Sequence, residues 1–176
     1  MIVLNGGSSS GKSAIARCLQ EILPDPWLTF GTDTFVDALP PAMRDGDGGI
    51  EFAADGGVVV GAGFRALELA WITGIVAMVR AGARVIVDEV FVGQGESQGR
   101  WLDALGDLPA TWVGVRCDPI VAAAREAVRG DRVAGMAVAQ AEHVHTGVRY
   151  DVEVDTTLAD AMTCAYVIAG MIERKP

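Results

Sequence analysis

The chain has 176 residues, 51% of them hydrophobic and 21% charged, with a formal net charge of −9. That length buries one core and predicts a single domain over 1–176. The acidic balance excludes a general nucleic-acid binder, which needs clustered Lys and Arg. Apolar runs break before the roughly 18–20 residues of a membrane span. Cys18, Cys117 and Cys164 lie far apart with no C-x-x-C pair, which argues against a disulfide scaffold or zinc site.

Met1 to Asn5 is a short apolar run suited to a buried strand. It enters a glycine-rich stretch at once and leaves no room for a secretory leader, so a cytoplasmic location is expected. Gly6, Gly7, Ser8, Ser9, Ser10, Gly11, Lys12 and Ser13 fit G-x-x-x-x-G-K-[ST] in full. Glycines let a backbone wrap phosphate and point its N–H groups inward. The following helix adds its positive end. Lys12 is suited to the β- and γ-phosphates of ATP and the Ser13 hydroxyl to Mg²⁺. The chain's only other lysine is Lys175, so its one interior lysine stands in this loop.

Apolar residues at helical spacing predict a helix over 12–23, ended by Pro24 and Pro26. Trp27 to Gly31 reads as a second strand, with Asp33 just past its carboxyl end. Ligands of open parallel sheets bind there, so Asp33 is a candidate base for an attacking hydroxyl. Spacing alone leaves a turn-capping role equally open, with Asp37 a rival. Residues 34–63 are rich in Gly, Asp and Pro and read as a long substrate-side insertion. It carries a hairpin of 49–52 against 58–60, turned at Asp55-Gly56-Gly57.

Further on, 64–80 predicts a long helix, 84–88 a strand, 96–105 a helix and 111–117 a strand. Helices over 119–129 and 133–143, a strand over 150–154 and a helix over 158–172 complete the order. Strands alternating with helices predict an α/β fold with a parallel sheet covered on both faces. Asp88 ends its strand and is the candidate Walker B acid for Mg²⁺. Alternation puts Glu89 on the other face. Arg125, Arg129 and Arg132 recur at helical spacing. They suggest an arginine-bearing lid over about 125–143, with a solvated basic face as the alternative. His143 and His145 diverge on any regular backbone, against a metal pair. The tryptophans read as core, except that Trp71, with Phe52, could form an apolar wall beside Asp33 for an aromatic substrate.

These segments resemble the chloramphenicol 3-O-phosphotransferases. The likeness runs through Asn5 to Ser13, Gly31-Thr32-Asp33, Gly48 to Phe52, Phe64 to Glu68, Trp112 to Asp118, Arg129 to Met136 and Tyr150 to Thr156. It implies a three-layer P-loop kinase fold with five parallel strands and a lid after the fourth. It also implies transfer of the ATP γ-phosphoryl to the primary hydroxyl of chloramphenicol. Asp33 falls on the family's catalytic aspartate, and Arg129 and Arg132 on its lid arginines. With Lys12, Asp33 and Arg132 form the expected catalytic set. Thr34 and Phe35 stand where serine and leucine are expected, Ser10 replaces an alanine, and Asp88-Glu89 replaces two aspartates. Thr34 joins Asp33, Phe52 and Trp71 as substrate-side candidates. The expected partner is a small-molecule antibiotic, with a homo-oligomer left open. Hygromycin A, a metabolic alcohol, or water in a switch ATPase are the competing acceptors.

Overall fold

The computed structural model describes residues 1–44, 49–53, 57–129 and 135–172, leaving out the side chains of Phe52 and Arg129. Arg132, the Asp55-Gly56 part of the hairpin turn and the expected helix start at Val133 lie outside the described residues.

Five strands form one parallel sheet: β1 (Ile2–Asn5), β2 (Leu28–Gly31), β5 (Val85–Glu89), β6 (Thr111–Arg116) and β7 (Val152–Asp155), in the order β2-β5-β1-β6-β7. A separate antiparallel hairpin pairs β3 (Ile50–Phe52) with β4 (Val58–Val60). Side-chain alternation divides the main sheet between two cores. Ile2, Leu4, Ile86, Val113 and Val115 face α1 (Lys12–Ile22) and α8 (Ala161–Ile172). Val3, Val85 and Val87 face α4 (Ala62–Arg80) and α5 (Gln94–Leu105), against Ile72, Ile75 and Trp101. Three layers result, helices on both sides of the sheet.

The insertion differs from the sequence expectation. It is largely helical at its start, with α2 (Thr32–Ala38) and α3 (Pro41–Arg44) before the hairpin. Neither helix has the length that makes a periodic signal, and short helices are marginal without tertiary support. Support comes from a third cluster, where Phe35 and Leu39 pack with Ile50 and Phe64. Phe35 lies edge-on to Phe64 at 5.1 Å between ring centroids. Asp33 therefore stands in the first turn of a helix, not in a loop.

The α4 helix is long and apolar enough to cross a membrane by length and composition, which the uneven runs in the sequence had concealed. Its buried Phe64, Ile72, Ile75 and Val76 instead cover the sheet and the third cluster. On the other edge, α6 (Pro119–Arg129) meets α7 (Met136–His143). The buried Glu126 carboxylate accepts the backbone N–H of Gly135 at 3.0 Å and of Ala137 at 2.7 Å. It thereby serves the open N-terminus of α7.

Candidate functional site

The loop between β1 and α1, the expected phosphate cradle, folds back on itself. Lys12 is only 6% exposed, and its ammonium turns back to donate to the Gly7 carbonyl at 2.9 Å. Its Nζ also stands 3.6 Å from Asp88 Oδ1. Gly11 has φ +93°, which favours glycine. A Cβ at Gly6 would lie 2.5 Å from the Val115 carbonyl oxygen, so the loop passes against β6 only because that residue has no side chain. The hydroxyls of Ser8, Ser9 and Ser10 are buried without a hydrogen-bond partner.

Contacts distant in sequence hold this loop. Ser8 N–H donates to Gln140 Oε1 at 2.8 Å, from α7. The Thr156 hydroxyl donates to the Ser10 carbonyl at 2.7 Å. Arg125 donates in turn to the Thr156 carbonyl at 2.7 Å and approaches Cys117 Sγ at 3.4 Å. Arg125 is thus bound to Thr156, the residue after β7, and also lines the cavity described below. Gln140 and Thr156 carry no local signal in the sequence, since 132 and 146 residues separate them from their partners.

Below the loop, the last residue of β1 anchors a buried polar group. Asn5 accepts the Phe91 N–H at 2.9 Å and donates to the Val144 carbonyl and the Tyr150 hydroxyl. Tyr150 then stands 2.6 Å from His145 Nδ1. Burial lowers His145 to about 4 and raises Tyr150 to about 12. His143 is exposed beside Gln94, so the two histidines diverge as expected.

Asp88 and Glu89 end β5 with separate partners. Ser13 Oγ donates to Asp88 Oδ2 at 2.5 Å. Glu89 accepts the Thr32 hydroxyl at 3.0 Å. Desolvation pushes Glu89 up to about 8, with the Thr32 bond opposing and Glu68 and Asp88 adding to the rise. Among the described residues no group of three or more His, Cys, Asp or Glu could hold a metal. Ser13 with Asp88 is instead a pair of oxygen donors beside the cradle. Mg²⁺ typically takes one or two such protein ligands, with phosphate and water completing its shell.

A cavity of about 730 Å³ runs from the cradle past Asp88 and Glu89 to Asp33. Its far wall is made by α2, the hairpin and α4: Phe35, Ile50, Val60, Phe64 and Trp71, with Phe30 from β2. Trp71 packs tilted on Phe35 at 5.6 Å and edge-on to Phe30 at 6.0 Å. Asp33 and Thr34 are exposed and line this space. Glu68, which the sequence reading passed over as a site residue, also lines it. Arg65 holds Glu68 at 2.8 Å and Arg100 at 3.1 Å. The described lining cations, Lys12, Arg17 and Arg125, come from α1 and α6, and none comes from the aromatic wall. The side chains of Phe52 and Arg129, and all of Arg132, are outside the described residues.

The profile of the "chloramphenicol phosphotransferase-like protein" family matches residues 1–173. Sequences from two Mycobacterium tuberculosis strains, provisionally named O-phosphotransferases, are 32% identical over 177 residues. The match spans 89% of this chain and 75% of theirs. A sugar kinase from Janibacter sp. HTCC2649 superposes with a TM-score of 0.70 at 14% identity, over 99% of this chain and 95% of that one. Shikimate kinase from Acinetobacter baumannii gives a TM-score of 0.62 at 12% identity, over 99% and 94%. These two likenesses show a shared fold. The match along 1–173 makes the chain a member of the chloramphenicol phosphotransferase-like family, P-loop kinases of small molecules that use a nucleotide.

Proposed function

We propose that the protein transfers the γ-phosphoryl of ATP to a hydroxyl of an uncharged, partly aromatic antibiotic, with the primary 3-hydroxyl of chloramphenicol as the first candidate. The observation that carries this reading is the composition of the wall facing Asp33. It is aromatic and aliphatic, and its described ionisable members, Asp33 and Glu68, are both acids. Among the described residues no cation lines that wall, Arg65 and Arg100 being taken up by Glu68, so an anionic acceptor would enter with none to offset its desolvation. A neutral alcohol with a flat ring loses little there and gains contact with Phe35, Phe64 and Trp71.

In this reading the loop amides and Lys12 hold the β- and γ-phosphates, and the serine hydroxyls of the loop face them. Ser13 and Asp88 would hold Mg²⁺, which supplies charge neutralisation at the phosphates when bound. Asp33 accepts the proton of the acceptor hydroxyl as its oxygen bonds to the γ-phosphorus, and ADP leaves. Arg129 and Arg132 are the candidate lid cations, by family likeness.

An acceptor panel tests the proposal. Chloramphenicol, hygromycin A, gluconate and shikimate are each incubated with protein, ATP and Mg²⁺, and the products are weighed by mass spectrometry. A chloramphenicol product heavier by one phosphoryl group is expected. Phosphorylation of the acidic metabolites in preference would overturn the neutral-acceptor reading. ADP release without any acceptor product would favour a nucleotide-dependent switch.

A further inference from the structure

We infer that Glu89 is a positioning residue that ties the phosphate cradle to the turn carrying Asp33 and so sets the distance between donor and base. The inference rests on the phosphotransfer reading but on different contacts. Residue 89 touches both halves of the site. Its backbone carbonyl accepts the N–H of Gly6, the first residue of the cradle, at 3.4 Å. Its side-chain Oε2 accepts the hydroxyl of Thr32, the residue before Asp33, at 3.0 Å. Donor loop and acceptor helix thus meet on one residue of the central sheet.

The alternative is that Glu89 serves the metal beside Asp88. Partner geometry divides the two acids. Asp88 continues the face of Ile86, toward α1, where Ser13 and Lys12 meet it. Glu89 continues the face of Val87, toward α4 and α5, and its side chain accepts the Thr32 hydroxyl. That bond matters because α2 has no capping side chain: its N-cap is Gly31. Phe35 and Leu39 bury one side of the helix, but apolar contact is non-directional and tolerates small slides and rotations. A hydrogen bond to the first turn restricts them. Displacement of a base by about 1 Å can lower turnover by about 10²-fold, so one such bond is enough to matter.

The test uses Thr32→Val, Glu89→Ala, their double variant, and the conservative Thr32→Ser and Glu89→Gln. Thr32→Val should lower kcat by about 10- to 100-fold while KM for ATP and the Mg²⁺ requirement stay within about twofold. Thr32→Ser and Glu89→Gln, which keep a donor and an acceptor, should retain most of the rate. Adding Thr32→Val to Glu89→Ala should cost little more, because the bond is already absent. Additive losses, an unchanged Thr32→Val enzyme, or an Mg²⁺ requirement raised in Glu89→Gln would each overturn the inference. If the wild-type chain phosphorylates no alcohol, the functional reading fails by itself. The brace is then read by hydrogen exchange of residues 28–38. Faster exchange, equal in Thr32→Val and Glu89→Ala, supports it, and unaltered exchange overturns it.

Discussion

The Ser13 hydroxyl donates to the Asp88 carboxylate at 2.5 Å, although 75 residues separate them. Parallel pairing of β1 with β5 brings the two together, Leu4 standing opposite Asp88. The helix that begins at Lys12 then carries Ser13 over the strand end. Two hard oxygens from two elements meet beside the glycine-rich loop, and that juxtaposition is the basis for proposing Mg²⁺ there.

Asp88→Asn should therefore raise the Mg²⁺ concentration for half-maximal transfer by about 10-fold or more. The amide keeps the shape and a hydrogen-bonding oxygen but loses the charge. Initial rates across a magnesium titration provide the measurement. A curve superposable on that of the wild-type chain would remove Asp88 from the metal site.

Asp33→Ala should leave ATP affinity within about twofold, as judged by calorimetry, and lower kcat by roughly 10²- to 10⁴-fold. Asp33 is exposed at the surface of the cavity, so truncation removes no core contact. Equal losses in binding and turnover would point to a structural part for Asp33 instead.

The acceptor wall gives the opposite signature. Trp71→Leu removes ring area that packs with Phe30 and Phe35 while keeping an apolar side chain. The acceptor KM should rise by about 10-fold, the scale of small changes in an apolar pocket, and KM for ATP should hold. Should ATP binding weaken instead, the cavity has been divided wrongly between donor and acceptor.

Acid stability should report on His145. Its folded pKa, lowered to about 4 from 6.5, favours the neutral ring in the native state. Burial is the first cause, and Arg116 and Lys12 disfavour the cation while Glu153 favours it. The unfolded chain binds the proton first, so stability holds above pH 6.5 and is lost as pH falls toward 4. Thermal unfolding between these pH values should fall more steeply for the wild-type chain than for His145→Asn. Parallel curves would contradict the assignment.

Much of the fold was readable in the amino-acid order because it depends on local chemistry. The glycine-rich loop, the helix after it and the apolar strands carry their own periods, and each of the five sheet strands falls within a residue or two of its expected place. Family likeness then pointed to Asp33. What tertiary structure decided is of another kind. Short helices such as α2 form because Phe35 finds Phe64, not because seven residues favour helix. Gln140 and Thr156 meet the loop, and Arg125 meets Thr156, only after the sheet has assembled. The same holds for the division of labour between Asp88 and Glu89, adjacent in sequence but turned toward different partners by strand alternation. Residue type and local spacing determine which groups can act, while their pairing across the sheet selects which of them meet.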